Sequence, residues 1–181
     1  MCAALGADLD VRVRWQGEGL DRIVALLSTH GWQTWLEVTF NEFGERGSID
    51  VFGWHAATRT LLVVEVKSVV PDAQGTLAPL DRKVRLAPKL AHDRGLDPVA
   101  VGRLLVIGDQ TANRRRVARF DALFAAALPV RGWDVRRWLA TPAGTIAGLL
   151  FLSDATQGGT RRTATGRARV NPPRRRLPNI E

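Results

Sequence analysis

The stretch GSIDVFGWHAATRTLLVVEVKS, residues 47–68, sets two apolar runs on either side of a short connection and embeds Asp50, Glu65 and Lys67 in them. Short runs rich in β-branched and aromatic residues, bounded by turn-formers, read as strands, so SIDVFGW and TLLVVEVKS form a hairpin around HAATR. Side chains alternate across a strand, which puts Val63, Glu65 and Lys67 on one face and Leu62, Val64 and Val66 on the other. By the same rule Asp50 and Phe52 face opposite to Ile49 and Val51. A hairpin closing symmetrically pairs Trp54 with Leu61, Phe52 with Val63 and Asp50 with Glu65. Two carboxylates then stand with their Cβ atoms about 5 Å apart, where like charges destabilise a sheet unless something neutralises them. A hard divalent cation is the simplest remedy. Carboxylate oxygens suit Mg²⁺ or Mn²⁺, which need few protein ligands and keep several waters for chemistry. Lys67, on the Glu65 face, is placed to hold a water or a substrate oxygen beside that cation.

Outward from the hairpin, the chain alternates helical and extended patterns. GLDRIVALLSTHG carries Leu20, Ile23, Val24, Leu26 and Leu27 at helical spacing, with Gly31 placed to end the helix. WQTWLEVTFNEF reads as a strand and FGERG as a turn-rich connection into the hairpin. After it come a helix in LAPLDRKVRLAPKLAHDRG, its limits blurred by Pro79 and Pro88, and a strand in VGRLLVIGD. ANRRRVARFDALFAAAL reads as one long helix with Phe120, Leu123, Phe124 and Ala127 on one face, and IAGLLFLSD as a last strand. Beyond Ala155 the sequence is Gly, Thr, Arg and Pro with little to bury, so the expected organisation is one domain over 1–155 and a disordered Arg-rich tail over 156–181.

At 181 residues and 45% hydrophobic, the chain can build one real core. Its single cysteine, Cys2, excludes an internal disulfide framework and a Cys-rich zinc site, and its three histidines lack metal-ligand spacing. A reducing, cytoplasmic setting is expected. The longest late apolar run, AGTIAGLLFLS, is too short to span a bilayer, so no membrane partner is expected. The net charge of +8 is concentrated at one end: residues 156–181 hold seven arginines and one acid, while the preceding part holds 19 bases and 17 acids. This tail suits a flexible electrostatic arm toward a polyanion.

An acid and a lysine two apart, as in EVK, are by themselves the usual decoration of a solvated strand face. The combination with Asp50 on the neighbouring strand is what gives them meaning. GERGSIDVFGWH, followed by TLLVVEVKS, LDRKVRLAPKLA and NRRRV, resembles the PD-(D/E)XK nuclease superfamily, and more closely the endonuclease-like domains of uncharacterised bacterial proteins. The resemblance spans roughly residues 20 to 154, with Ile49 where the motif's name has proline. It implies an α/β, restriction-endonuclease-like fold with an αβββαβ core, a mixed central sheet flanked by helices. It further implies that Asp50 and Glu65 bind Mg²⁺ or Mn²⁺ and that Lys67 positions or activates the attacking water. The activity implied is metal-dependent endonucleolytic hydrolysis of nucleic acid, with DNA the expected substrate. The alternative is a non-catalytic nucleic-acid-binding or regulatory module on the same fold.

Other residues carry weaker expectations. The basic clusters DRKVR and NRRRVAR, with Lys83, Arg114, Arg115 and Arg116, suit phosphate contact as well as they suit a solvated helical face. Glu18 and Asp21 are candidate further metal ligands, although a helix start attracts acids on its own account. Glu37, Glu42 and Glu45 fit solvent exposure, Glu45 also leading into Asp50. Trp32, Trp35, Trp54, Trp133 and Trp138 are expected in the core or at its rim. A homodimer is the one protein partnership left open.

Overall fold

The computed structural model describes residues 16–42 and 44–153, so the tail expected over 156–181 lies outside the described residues. Residues 16–28 form helix α1, which ends at Gly31 in the left-handed region (φ +78), where a side chain would be strained. Three strands follow: β1 (Gln33–Glu42), β2 (Glu45–His55) and β3 (Thr60–Lys67). Helix α2 (Ala73–His92) leads to β4 (Ala100–Gly108), then come α3 (Thr111–Arg119), α4 (Asp121–Ala127), β5 (Val130–Arg131), α5 (Gly132–Ala140) and β6 (Ala147–Leu152). The sheet order is β1-β2-β3-β4-β6-β5. β1, β2 and β3 pair antiparallel, whereas β3–β4, β4–β6 and β5–β6 pair parallel. This is an α/β protein with a mixed sheet flanked by helices, and α1 to β4 run in the expected αβββαβ order.

Helices cover both faces, which is why β3 and β4 are nearly continuous apolar runs. On one side Leu80, Ala87 and Leu90 of α2, with Val117 of α3 and Phe124 of α4, pack on Phe52, Val63, Leu105 and Ile107. On the other, Ile23 and Leu27 of α1 and Val135 and Leu139 of α5 pack on Val51, Leu62, Val64 and Val106. No helix among the described residues is long and apolar enough to cross a membrane.

Several local expectations change. The FGERG connection is shorter than expected: Glu45 already pairs with Glu42, Arg46 with Asn41 and Gly47 with Phe40, and Gly44 lies at φ +79. The long helix expected through Phe120 breaks there, because Phe120 leaves helical geometry (φ −115, ψ 29). The break lets α4 bury Phe124 completely while Leu123 turns outward, 53% exposed. Strand β5 and helix α5 fill a region for which only the tryptophans carried an expectation. Helix α2 begins earlier than expected, where the Asp72 side chain accepts the Gly75 N–H at 2.6 Å, and it runs through both prolines.

Candidate active site

The hairpin has the expected register where it closes. Trp54 pairs with Leu61, Phe52 with Val63 and Val51 with Val64. The ladder stops there, one step short of the expected Asp50–Glu65 pair. In its place the Asp50 side chain reaches across, and its Oδ2 accepts the backbone N–H of Val66 at 2.7 Å. The alternation expected for β2 also fails at this residue: Ile49 and Phe52 pack in the same core layer, under α2, while Val51 packs in the other. Opposite Asp50 on β1, Glu37 adopts the left-handed backbone (φ 48), and the flanking pairs Leu36–Val51 and Val38–Ile49 bracket the interruption. Both strands therefore change face at one level of the sheet. Such backbone costs on the order of 1–3 kcal/mol for a residue with a side chain, and it concentrates at functional sites.

Glu65 and Lys67 share a face of β3 as strand alternation requires, with Lys67 Nζ 2.6 Å from Glu65 Oε1. The group that joins the two carboxylates comes from α2. Lys83 Nζ donates to Asp50 Oδ1 at 3.2 Å and also to Glu65 Oε2. Glu65 and Lys83 are almost fully buried, their side chains 2% and 9% exposed, while Asp50 and Lys67 reach 16% and 31%. Burial pushes the Asp50 carboxyl above its ordinary value, and the Glu65 charge adds to the rise; the Lys83 ammonium and the Val66 N–H oppose it. The neutralising charge that sequence reasoning assigns to a divalent cation is supplied here by an ammonium. Lys83 accordingly lies not on a solvated helical face but in the acid pair's own surroundings.

Two features keep the cluster in place and open. Asn113, at the start of α3, is buried: its Oδ1 accepts the Val70 N–H at 3.2 Å, and its Nδ2 donates to Ser68 O at 2.8 Å and Gly108 O at 2.9 Å. This ties together the ends of β3 and β4 just beyond Lys67. Asp50 also lines a cleft of about 280 Å³ between α1 and the β1–β2 pair, together with Gln16, Glu37, Thr39 and Ser48. Asp50 is open to solvent from that side.

The other candidates disperse. Glu18 and Asp21 are exposed on α1. Glu45 pairs with Arg85 and Glu42 with Lys89, which ties the β1–β2 turn to α2 rather than to the acid pair. Arg115 and Arg116 are exposed on α3, whereas Arg114 pairs with Asp109 and lies 4.5 Å over the Phe151 ring. That pairing holds the Asp109 carboxyl below its usual range. Trp32 and Trp54 are buried and Trp133 is exposed at the rim.

Lys83 and Asn113 are the contributors that motif reasoning misses. Lys83 had a signal: it falls in step with Thr76, Leu80, Ala87 and Leu90 on the buried stripe of α2, where a charge needs a partner. It is also one of only three lysines against 23 arginines, and two of the three stand at this cluster.

No family model matches the chain, and no curated protein or solved structure matches it either.

Proposed function

We propose that the protein is a Mg²⁺- or Mn²⁺-dependent endonuclease of the PD-(D/E)XK type, hydrolysing phosphodiester bonds of nucleic acid, DNA by expectation, in the cytoplasm. The observation that carries this reading is the convergence of Asp50 Oδ1 and Glu65 Oε2 on one cationic centre, with Lys67 beside them on the same face of β3.

The donor set fits a hard cation. Two carboxylate oxygens from different strands address a single positive point, for which the Lys83 ammonium is the stand-in. Mg²⁺ is commonly held by one or two carboxylates, with waters and substrate phosphates completing its shell. Among the described residues no cluster of three or more His, Cys, Asp or Glu side chains is assembled, so two carboxylates are what those residues offer at this point. Asp50 and Glu65 would hold the ion, which when bound supplies Lewis-acid polarisation of a phosphoryl oxygen and a more acidic water.

The remaining work falls to the chain's own groups. The Val66 N–H fixes the Asp50 carboxylate and leaves its second oxygen turned to the cluster. Lys67, the most exposed member, presents N–H donors to the attacking water or to a phosphoryl oxygen and adds positive charge where negative charge grows in the transition state. Lys83, with Lys67, balances the two carboxylates when no metal is bound.

One observation favours the non-catalytic module instead. The four groups are two carboxylates and two ammoniums, already neutral as a set. Cleavage separates the two readings. Supercoiled, linear, single-stranded and branched DNA are incubated with the purified protein and Mg²⁺ or Mn²⁺. The nuclease reading expects cleavage of at least one form by the wild type and its loss in Lys67→Ala. Wild-type protein inert on all four with either ion, or cleavage undiminished in Lys67→Ala, removes that reading.

A further inference from the structure

A second cleft, of about 400 Å³, opens at the edge of the sheet away from the hairpin. β5 is two residues long and pairs only with Gly148 and Leu149, so β6 continues past it. Arg114 of α3, Arg131 of β5 and Arg136 of α5 line this cleft, with Trp133 and Phe151, and among the described residues no carboxylate does. Asp109 offsets Arg114, and Asp121 lies 3.5 Å from Arg131. Arg136 makes no ion pair among the described residues, which leaves the cleft positive. Trp133 is 75% exposed. A lone exposed indole needs no explanation by itself, but beside an arginine-lined cleft it is a stacking surface within reach of bound phosphate.

The register of the sheet relates this cleft to the acid pair. Lys67 pairs with Ile107, and Ile107 with Phe151. Adjacent strands lie about 4.8 Å apart, so the Phe151 backbone is about 10 Å from that of Lys67. Glu65 connects to Arg131 in the same way through Leu105 and Leu149, about 15 Å across. Ile107 and Phe151 pack in the α2-side layer that also carries Glu65 and Lys67, and Arg114 caps Phe151. Cleft and cluster thus lie at one level of the sheet. One strand of B-DNA rises about 3.4 Å per phosphate and an unstacked single strand is more extended, so the gap corresponds to at most about four nucleotides.

We infer that this cleft binds a single-stranded stretch of nucleic acid a few nucleotides from the bond to be cut, its phosphates against Arg136 and Arg131 and an unpaired base on Trp133. Both chemistries are needed together: guanidinium groups take the anion without reading sequence, and an exposed indole takes the face of any base. Bases in a duplex are already stacked on one another, so the cleft selects frayed, looped or terminal strand over intact duplex. The inference uses the nuclease reading for its geometry, but the binding requires no cleavage.

The test is fluorescence anisotropy in EDTA with a labelled oligothymidylate of about ten nucleotides and an abasic strand of equal length and charge, a size suited to one single-strand groove. Trp133→Ala should weaken the oligothymidylate about tenfold and leave the abasic strand unchanged, since only stacking is removed. Arg136→Ala should weaken both strands and lower the salt slope by about 0.7, one phosphate contact on single-stranded DNA. Both variants should melt with the wild type, because neither side chain is buried. Oligothymidylate binding unmoved by Trp133→Ala, or equal losses for the two strands, overturns the inference. Should the wild type cut DNA while these affinities stay flat, the cleft is refuted and the nuclease stands. Binding as expected by a protein that never cuts supports the cleft and refutes the nuclease.

Discussion

The two layers on either side of the sheet are made from alternate residues of the same strands, yet they differ in chemistry. Toward α1 and α5, Val51, Leu62, Val64, Val66, Leu104 and Val106 form an unbroken apolar layer. Toward α2, Phe52, Val63, Leu105 and Ile107 begin the same way, and then β3 turns to Glu65 and Lys67, with Lys83 and Asp50 against them. Backbone propensity and pairing are common to both layers, so neither explains the difference. Taking an ion out of water costs several kcal/mol even after relaxation, and the apolar layer avoids that cost. The first layer demonstrates that these strands need no charge in order to pack. Charge in the second is a departure from local rules of the kind expected where a protein gives up stability for function.

The two layers differ most in their dependence on Lys83. Lys83→Met removes the ammonium and leaves two carboxylates facing each other at a buried position, which should cost about 3–5 kcal/mol in urea unfolding. Adding Glu65→Leu should recover most of that loss, because it makes the second layer resemble the first. A single substitution that leaves stability unchanged would show that the charges are solvated after all. Next in size is Asn113→Ala, which leaves the Val70 N–H and the Ser68 carbonyl without their partner and removes one of the bonds to the Gly108 carbonyl. A loss of about 1–3 kcal/mol is expected, read by the same denaturation.

The raised pKa of Asp50 gives a smaller and pH-dependent effect. Its folded carboxyl holds a proton at pH values where the unfolded one, near the ordinary 3.8, has released it. The folded state therefore gains from this group at low pH and loses that gain as pH rises from 3.8 through the raised value. Asp50→Asn cannot titrate. Its melting temperature relative to wild type should move in the variant's favour across that window and level off above it; a flat difference would mean that burial does not govern Asp50. Smallest of all is Glu45→Gln, which breaks the half-exposed pair with Arg85. A change within about 0.5 kcal/mol sharpens the contrast between surface pairs and the buried cluster.

Much of this was legible before any coordinates. The apolar runs and their turn residues mark the strands, and closing the hairpin symmetrically puts Trp54 against Leu61 as found. The Glu65–Lys67 face follows from alternation alone. The change of face at Asp50 does not, because it depends on Glu37 across the pair adopting a left-handed backbone that no local pattern announces. Lys83 escapes a motif reading for another reason. Its neighbours Arg82 and Arg85 make it resemble a basic surface, and only the helical stripe through Leu80 and Ala87 reveals that it points inward. In α5, Val135 and Leu139 stand four apart among arginines and are its only buried residues, a stripe too short to mark a helix. The break at Phe120 is set by what Phe124 can bury, a tertiary matter.

A divalent-cation site at Asp50 and Glu65, guarded by Lys83, is tested by Mn²⁺ binding followed by electron paramagnetic resonance. Wild type should bind one ion per chain, Glu65→Gln should lose that binding, and Lys83→Met should bind more tightly, since no ammonium competes for the same oxygens. An absence of bound Mn²⁺ in both wild type and Lys83→Met, or binding indifferent to Glu65→Gln, would rule out such a site and leave the cluster a structural ion network.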